Sequence, residues 1–355
     1  MSISEIAKKA GVSPATVSRV LNNPDYRCAD LKKRDKIWKI AMEMNYVPNE
    51  AARNLKRGNT GTNQVYYMQV IVTRTERSQA DPFFTELLRI VESEIHNYSC
   101  ILSQVWYVSE FSSDRQCKSM NLDKKVAELY EETEGKSNGV IVIGRCNKEA
   151  IRKIKQYFKN VVAVNRNSTN REVDEVICDG RKIVAIAVEH LIELGHTEIG
   201  YVGECLGEAR YKGFTDALTR HNIEPYVNYI YDVKHTEAAG YDTMLKILES
   251  DEIPTAIYCA SDITAVGMLK ALGEKRKYHN ISIISSDNIE QSQYTKPMLT
   301  TVSLPKEEMG RFAVYLLLDR IKGGHKSVVS MELEGTLIKR DSCYDLFNSS
   351  WGAYI

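Results

Sequence analysis

The 355-residue sequence lacks the cysteine spacing of a metal site or a disulfide framework, because its eight cysteines are scattered and no C-x-x-C pair occurs. Scattered cysteines are typical of free thiols in a reducing cytoplasm. No signal peptide opens the chain, and no apolar run approaches the roughly 18 residues that a membrane helix needs. We therefore expect a cytoplasmic protein that uses no metal and no other cofactor.

The signatures of several enzyme classes are also absent. Gly200-Tyr201-Val202-Gly203 lacks the G-x-G-x-x-G spacing that holds a dinucleotide phosphate. The sequence has no G-x-S-x-G nucleophile elbow and no H-E-x-x-H metal pattern, and its seven histidines are scattered. A nucleotide-dependent enzyme is therefore a less favoured alternative, and we predict no catalytic residues.

The formal net charge of zero, taken alone, argues against a nucleic-acid-binding protein. Its distribution reverses that argument. Residues 1–60 contain twelve basic and six acidic side chains, so this segment carries +6 and the remaining residues carry −6. A basic segment attached to an acidic body concentrates positive potential at one end, as phosphate binding requires.

Residues 3–22 are patterned as two short helices joined by a tight turn. Gly11 occupies the position at which a helix ends in a left-handed residue, and Ser13 and Pro14 suit the N-cap and first position of the next helix. This pattern predicts a helix-turn-helix, whose second helix enters the DNA major groove. The apolar positions are Ile3, Ile6, Ala7, Ala10, Val17, Val20 and Leu21, whereas Thr16, Ser18, Arg19 and Asn22 are predicted to point outward.

From residue 64 onward, strand patterns alternate with helix patterns, which favours parallel, doubly wound sheets covered by helices. Because this region of roughly 280 residues exceeds the size of one core, we expect two α/β subdomains. The predicted strands are 65–72, 100–107, 139–143, 161–164, 175–178, 199–202, 229–231, 256–259 and 281–285. The predicted helices are 84–95, 122–132, 148–158, 181–194, 210–221, 238–249 and 263–272.

Several motifs together resemble the LacI/GalR (lactose/galactose repressor) family. Any one of them alone is weak, but the series spans nearly the whole chain in family order. The motifs are Ala10-Gly11-Val12-Ser13, Ala15-Thr16-Val17-Ser18-Arg19-Val20-Leu21-Asn22, Tyr46-Val47-Pro48-Asn49-Glu50-Ala51-Ala52-Arg53-Asn54-Leu55, Asp81-Pro82-Phe83-Phe84, His190-Leu191-Ile192-Glu193-Leu194-Gly195-His196, Pro254-Thr255-Ala256-Ile257, Leu299-Thr300-Thr301-Val302 and Arg340-Asp341-Ser342.

The resemblance implies an operator-binding domain over residues 1–48 and a hinge helix with its linker over 49–63. It implies an effector-binding and dimerisation domain over 64–342, with a periplasmic-binding-protein-like fold whose chain crosses three times between subdomains. The lower subdomain is expected at 64–164 and 300–325, and the upper at 165–295 and 328–342. The family is normally a homodimer on a near-palindromic operator. Because the tail at 343–355 has no heptad, a dimer is favoured over a tetramer.

The resemblance also assigns DNA-binding roles. Pro14, Ala15 and Arg19 match base-facing positions, and Arg19 has the geometry to bind guanine bidentately. Leu55 matches a hinge leucine that enters the minor groove; we predict that Leu55→Ala keeps the fold but loses operator affinity. The full predicted DNA-binding set is Ser13, Pro14, Ala15, Thr16, Ser18, Arg19, Asn22, Tyr26, Asn49, Arg53 and Leu55, of which Thr16, Ser18, Asn22 and Tyr26 are expected to contact phosphates.

The effector-binding residues implied by the family pattern are predicted to lie at strand ends in the cleft. Arg210 and Asp287 are expected to bind effector hydroxyl groups. Phe83 either stacks on a sugar face or only packs, and Asp262, beside the candidate Ser261, is either a ligand or a helix cap. The full predicted set is Phe83, Asn165, Asp179, Arg210, Ser261 and Asp287.

The predicted function is a repressor of a carbohydrate-utilisation operon that a small sugar releases from its operator. Gly144-Arg145-Cys146 with Asn165-Arg166-Asn167 resembles galactose- or galactoside-responsive relatives. Alternatively, a purine or phosphoprotein corepressor tightens DNA binding, and the sequence does not fix the sign of the response. A free sugar-binding transport protein is disfavoured, because it would need a secretory signal and would carry no basic helix-turn-helix.

Overall fold

The computed structural model describes residues 3–22, 33–34, 36–37, 40–41, 65–74, 81–275 and 281–346. The chain divides into two compact units, Met1–Gln64 and Val65–Ile355. Four predicted DNA-binding residues lie outside the described residues, as do the predicted hinge helix and the end of the tail. Those four are Tyr26, Asn49, Arg53 and Leu55.

The described part of the first unit includes the complete helices α1 (Ile3–Ala10) and α2 (Pro14–Asn22). Gly11 joins them with a φ of 71°, a left-handed conformation that glycine adopts without a steric penalty. The apolar stripes predicted from the sequence form a small core, which helical residues further along the chain complete. Its buried members are Ile6, Ala7, Ala10, Val17, Val20, Ile37 and Ala41.

Within its described residues, the second unit contains two six-stranded sheets. The strands are β1 (Tyr67–Val72), β2 (Ile101–Tyr107), β3 (Gly139–Ile143), β4 (Val161–Asn165), β5 (Asp174–Ile177), β6 (Ile199–Gly203), β7 (Ile230–Asp232), β8 (Ala256–Cys259), β9 (Ser282–Asp287), β10 (Thr300–Ser303), β11 (Ser330–Glu332) and β12 (Thr336–Ile338). The first sheet has the order β2-β1-β3-β4-β5-β11, and the second has the order β7-β6-β8-β9-β10-β12. All neighbours are parallel except β10 and β12, which are antiparallel.

Helices cover both faces of each sheet. The central strands are therefore buried along their whole length, as the unbroken apolar runs of β3 and β4 require. None of the helices in the described part of the chain has the length and apolarity that a bilayer crossing requires. The helices are α3 (Pro82–Asn97), α4 (Asp114–Ser119), α5 (Leu122–Glu131), α6 (Lys148–Tyr157), α7 (Gly180–Glu193), α8 (Ala209–Arg220), α9 (Glu237–Leu248), α10 (Asp262–Lys275) and α11 (Lys306–Lys322).

The predicted subdomain boundaries need correction. β5 lies in the first sheet, although the upper subdomain was predicted to begin at residue 165. β10 lies in the second sheet and β11 in the first, the reverse of the predicted assignment. These short strands are assigned by their hydrogen-bonded neighbours, such as Ser330 beside Glu175, and sequence spacing carries no information on that pairing.

The chain passes between the subdomains three times, after β5, after β10 and after β11. In each sheet, successive strands of the chain are first added on one side and then on the other. This change of direction lies between β1 and β3 in the first sheet and between β6 and β8 in the second. The carboxyl ends of the strands beside such a reversal form a crevice that suits a ligand. The two crevices face each other across one cleft, since Arg74, after β1, forms an ion pair with Glu204, after β6.

Candidate functional site

In the first unit, the outward face of α2 carries the predicted base-contacting residues. Pro14, Ala15 and Arg19 are exposed, and Thr16 and Ser18 are partly exposed. Ser13 is also exposed, and its Oγ accepts a hydrogen bond from the Thr16 N–H at 3.2 Å, as an N-cap does. Asn22 ends α2, but its side chain lies outside the described part. The helix therefore presents short side chains and one arginine to solvent, while Val17 and Val20 hold it in the core.

In the second unit, five side chains form a buried charged cluster where the carboxyl ends of β4 and β9 meet the beginnings of α3 and α8. The cluster consists of Phe83, Arg166, Glu208, Arg210 and Asp287, and each member is at most 3% exposed. Isolated buried charges are costly, so each must be paired or must serve a ligand.

Arg166 and Asp287 lack full pairing. The Nη1 atom of Arg166 lies 3.1 Å from Oδ1 of Asp287, and the guanidinium carbon lies 4.2 Å from the centre of the Phe83 ring. The Nε and Nη2 atoms of Arg166 and the Oδ1 atom of Asp287 are buried and find no hydrogen-bond partner among the described residues. Buried polar atoms without a hydrogen bond are rare, and each of them has room for a partner such as a water molecule, an ion or a ligand.

Burial and mutual attraction oppose each other in this pair. Burial raises the pKa of Asp287 to about 7, although Arg166 acts to lower it. Burial likewise lowers the pKa of Arg166 from its usual range, against the effect of Asp287. The carboxyl group of Asp287 is therefore poised to change its charge near neutral pH.

The guanidinium group of Arg210 has more hydrogen-bond partners than that of Arg166. Its Nε atom donates to Oε1 of Glu208 at 3.1 Å, Nη1 donates to the Ala260 carbonyl, and Nη2 lies 3.5 Å from Nδ1 of His235. Burial acts to raise the pKa of Glu208, but Arg210 outweighs it and the pKa is lowered. The pKa of His235 falls well below its usual value, because of desolvation and of the charges on Arg210 and Arg74.

The backbone that carries Asp287 is strained. Asp287 has a φ of 141° and Asn288 a φ of 50°, conformations that side-chain-bearing residues rarely adopt. Two neighbours hold this turn: Arg340 donates to Oδ1 of Asn288 at 2.7 Å, and Lys306 donates to the Asn288 carbonyl at 3.1 Å. Strain that the surrounding contacts maintain is typical of ligand-binding sites.

A cavity of about 1230 Å³ lies beside the charged cluster, between the two subdomains. We call it the outer cavity. The first subdomain lines it with Thr73, Arg74, Asp81 and the segment 109–119, and the second with Glu204, the segment 234–242 and α10. Arg74 spans the cavity at its inner end, where it donates to Oε2 of Glu204 at 2.7 Å and contacts Nδ1 of His235 at 3.1 Å.

The structure brings together three of the six predicted effector-binding residues, Phe83, Arg210 and Asp287. The other three have local partners. Oδ1 of Asn165 accepts from the Arg166 N–H at 2.7 Å, Asp179 caps α7, and Ser261 shares a hydrogen bond with Thr264 at 3.0 Å. Asp262, for which a ligand and a helix cap were both left open, is the first residue of α10; it is buried and accepts hydrogen bonds from Ser285, Thr301 and the Ile289 N–H, none of which belongs to that helix.

Four residues that lie in or beside the charged cluster were not predicted as effector-binding: Arg74, Arg166, Glu208 and His235. Arg74 and Arg166 directly follow β1 and β4, which is the signal that could have identified them. Glu208 and His235 lie in loops, and only the packing of those loops brings them to Arg210.

Comparisons with known proteins agree with this architecture. A family model described as "Bacterial regulatory proteins, lacI family" matches residues 2–49, and one described as "Periplasmic binding protein-like domain" matches residues 188–343. The "HTH-type transcriptional repressor PurR" of Aliivibrio salmonicida is 30% identical and covers 97% of this chain and 99% of its own. The protein of the same name from Photorhabdus laumondii is 29% identical, with 97% of each chain covered.

Solved structures of similar fold include a "transcriptional regulator CelR-cellobiose complex", with a TM-score of 0.67 and 21% identity over 96% of this chain and 99% of that one. The Lac repressor dimer bound to operator and the anti-inducer ONPF has a TM-score of 0.66 and 23% identity over 97% and 99%. A LacI family transcriptional regulator from Enterococcus faecium with bound ribose has a TM-score of 0.64 and 25% identity over 79% and 99%.

Proposed function

We propose, given that the chain belongs to the LacI family of DNA-binding transcriptional repressors, that a sugar bound at the charged cluster controls its affinity for operator DNA. This proposal rests on three buried polar atoms of the Arg166–Asp287 ion pair, Nε and Nη2 of Arg166 and Oδ1 of Asp287, which make no hydrogen bond to the described residues. Two of these atoms donate hydrogen bonds and one accepts them. A sugar hydroxyl group both accepts and donates, so neighbouring hydroxyls of one ring satisfy all three atoms.

The surroundings of these atoms also suit a sugar. Phe83 lies beneath the Arg166 guanidinium group and holds its plane, and Arg210 is fixed by Glu208, so that both guanidinium groups are oriented before a ligand arrives. The Enterococcus faecium regulator of similar fold was solved with ribose. We accordingly assign Arg166, Arg210 and Asp287 to sugar binding, with Phe83 holding Arg166 in place.

The alternative effector class is a purine that acts as a corepressor. The curated relatives at about 30% identity carry the name PurR, and none of those cited above is named for a sugar. A flat heterocycle would need an aromatic face on which to stack. The Phe83 ring is only 1% exposed and already has the Arg166 guanidinium over it, which favours the sugar.

For the DNA side, we propose that Arg19 and Ala15 contact bases, while Thr16 and Ser18 contact phosphates. Ser13 caps the recognition helix and Pro14 begins it. We further propose that the protein acts as a homodimer in the cytoplasm, because two symmetric copies match a near-palindromic operator. The roles of Asn22, Tyr26, Asn49, Arg53 and Leu55 remain predictions from the family pattern.

The sign of the response follows from which arrangement of the cleft the effector favours. We propose that the sugar weakens operator binding. Its hydroxyl groups would satisfy Arg166 and Asp287, which come from different subdomains, and so fix one relative position of the two subdomains. If that position differs from the one the subdomains adopt when the protein binds DNA, the sugar lowers the affinity for the operator.

The test measures thermal unfolding of the full-length protein with galactose, lactose, ribose, glucose, hypoxanthine and guanine. A ligand at 100 times its dissociation constant adds about 2.7 kcal/mol of stability. We expect a shift with a sugar and none with the purines. The same sugar should lower the affinity for a duplex selected from a random DNA pool, as measured by fluorescence anisotropy.

A matched pair of variants localises the effect. Arg166→Met should abolish the sugar-dependent shift, whereas Arg152→Met, which removes a partly exposed surface arginine on α6, should retain it. If only a purine raises the unfolding temperature, the effector is a purine corepressor and the proposed sugar is wrong. If a sugar binds but increases operator affinity, the proposed direction of the response is wrong.

A further inference from the structure

Residues 340–346, which we call the strap, cross the end of the second sheet at which its parallel strands begin. The strap first meets β10, where the Arg340 N–H donates to Oγ1 of Thr300 at 2.9 Å. It next meets β9, where the Ser342 carbonyl accepts from the Ile283 N–H at 2.8 Å. Thr300 is the first residue of β10 and Ile283 the second residue of β9, so both contacts lie at the amino end of the sheet.

The strap then passes the beginnings of β8 and β6. The Tyr344 hydroxyl donates to the carbonyl of Thr255, the residue before β8, at 3.4 Å. The Tyr344 carbonyl lies 3.1 Å from Nε2 of the buried His196, in the loop between α7 and β6. In the same loop, the Leu194 carbonyl accepts from the Leu346 N–H at 2.9 Å. The strap therefore follows the strands in their spatial order, β10, β9, β8 and β6.

The next strand in that order is β7, which forms the edge of the second sheet. Neighbouring strands lie about 4.8 Å apart, and an extended chain advances about 3.3 Å per residue. Residues 347–355 lie outside the described part of the chain, and they number nine. A segment of that length that continues in the direction of the strap easily reaches the residues before β7.

The residues before β7 expose apolar surface at this end of the sheet. Val227 is 80% exposed and Tyr226 is 43% exposed, and we call these two residues the edge patch. Tyr226 is held in position, because its ring packs edge-on against the buried Tyr229 and its hydroxyl donates to Glu252. Single exposed apolar residues are ordinary, but adjacent ones on a fixed surface mark a site of contact.

The composition of residues 347–355 suits this patch. They include no charged residue, although charged residues make up 26% of the whole chain. Four of the nine are aromatic or large and aliphatic: Phe347, Trp351, Tyr354 and Ile355. Aromatic side chains bury a large area each and dominate contacts of this kind. An uncharged segment rich in aromatic residues is thus an occupant that fits the edge patch.

We propose that residues 347–355 continue the strap past β6 and cover the edge patch with their aromatic side chains. The contact is made within one chain, because the strap delivers this segment to the neighbouring strand. It is independent of the proposed effector site, since the charged cluster lies at the carboxyl ends of β4 and β9 and the strap lies at the amino ends. Its role is to close the amino end of the second sheet and to stabilise that subdomain.

The first experiment measures hydrogen–deuterium exchange by mass spectrometry in the whole chain and in a chain that ends at Leu346. We expect the amides of residues 222–229 to exchange more slowly in the whole chain, by about threefold or more, because a covering segment must open before they exchange. The unfolding temperature of the whole chain should be about 2–4 °C higher. A chain of unchanged length that carries both Phe347→Ser and Trp351→Ser should behave as the shortened chain.

A matched pair of surface variants makes the test specific. Val227 and Leu206 are both 80% exposed, but Leu206 follows β6 at the carboxyl end of the sheet. Val227→Lys should lower the unfolding temperature of the whole chain and leave that of the chain ending at Leu346 unchanged, because the patch is covered only in the former. Leu206→Lys should have the same effect in both chains.

The exchange rates and the variants separate the possible occupants of the patch. If residues 222–229 exchange equally in the two chains, or if Val227→Lys has the same effect in both, the docking is refuted. If the protection of residues 222–229 rises with protein concentration, a second copy covers the patch and the proposed contact within one chain is wrong. Protection that does not depend on concentration, and that is lost in both the shortened chain and the serine variant, supports the proposal.

Discussion

In the first unit, Arg19 and Ala15 lie exposed on α2, whereas in the second unit Arg166 and Arg210 are 3% and 2% exposed. An exposed arginine is hydrated before it binds, so its contacts with DNA add little to the stability of the protein. A buried arginine has lost its hydration, and the protein must compensate it with a carboxylate, a carbonyl or a ligand. Substituting an exposed arginine in the first unit should therefore lower DNA affinity and leave stability unchanged. Substituting a buried arginine in the second unit should lower stability as well as effector binding.

The largest effect is expected for Arg210→Met. This change leaves the Glu208 carboxylate buried without its partner, which costs about 3–5 kcal/mol in the free energy of unfolding. It should also abolish the response to the effector. Urea unfolding followed by fluorescence measures the first effect, and thermal shift with the sugar measures the second.

The double variant Glu208→Gln with Arg210→Met is the control. Because the uncompensated charge is then absent, much of the lost stability should return while the effector response stays abolished. Equal stability of the single variant Arg210→Met and the unchanged protein would contradict the view that the Glu208–Arg210 pair supports this fold.

Arg19→Ala is the counterpart in the first unit. We expect a loss of about 1–3 kcal/mol in operator affinity, chiefly from lost discrimination between base pairs, with no measurable change in the unfolding temperature. Lys9→Ala, which removes an exposed charge from α1, should weaken binding to all duplexes alike and reduce its salt dependence. Anisotropy titrations with selected and scrambled duplexes distinguish the two, and equal losses on both duplexes for Arg19→Ala would refute base contact.

A smaller effect concerns pH and is confined to the second unit. Asp287 has a raised pKa of about 7, and its charged form is the one that accepts a sugar hydroxyl. Sugar affinity should therefore fall by up to about tenfold from pH 8 to pH 6, because the carboxylate becomes protonated over that interval. In Asp287→Asn the profile should be flat, and a flat profile in the unchanged protein would exclude this role for Asp287.

The smallest effect concerns a buried charge of the second unit that lies away from the cleft. It tests whether such a charge can stabilise the fold without taking part in ligand binding. Asp174 is buried away from the cleft, where Arg320, His325 and the Val329 N–H satisfy it. Burial acts to raise the pKa of Asp174, but these hydrogen bonds outweigh it and the pKa is lowered. The pKa of His325 is raised, mainly by its hydrogen bond with Asp319 at 2.6 Å.

A histidine with a raised pKa stabilises the fold below its unfolded pKa, and the contribution is lost as pH rises through the folded value. His325→Gln should thus cost about 1 kcal/mol at pH 6 and less at pH 8.5. Urea unfolding at the two pH values measures this difference, with exposed His221→Gln as the control. An effect of His325→Gln that does not vary with pH would contradict the charged pairing.

Strong local patterns were predicted well from the sequence. The predicted bounds of β3 and β8 coincide with the observed ones, because each is a short apolar run that both faces of a parallel sheet bury. The turn at Gly11 and the cap at Ser13 were likewise evident, since both depend on neighbouring residues alone. Less regular elements were missed, among them α4, whose six residues are too few to show helical periodicity.

The charged cluster shows where local reasoning ends. Phe83, Arg166, Arg210 and Asp287 are separated by tens of residues, and they meet because β4 and β9 end at the same cleft after the chain has crossed between subdomains. Asn165 and Arg166 are neighbours in sequence, yet Asn165 bonds within its own loop and Arg166 points to Asp287. Which of two adjacent polar residues faces a ligand depends on loop geometry, which no spacing rule specifies.

The sequence by itself determined the class of protein: a helix-turn-helix with a basic excess, followed by alternating strands and helices that bury parallel sheets. These features depend on periodicity, caps and composition, which act over a few residues. Only the tertiary structure decided the order of the strands, the membership of β5, β10 and β11, and the side chains that share one cleft. Those depend on hydrogen bonds and ion pairs between distant segments, whose partners are fixed only when the whole domain packs.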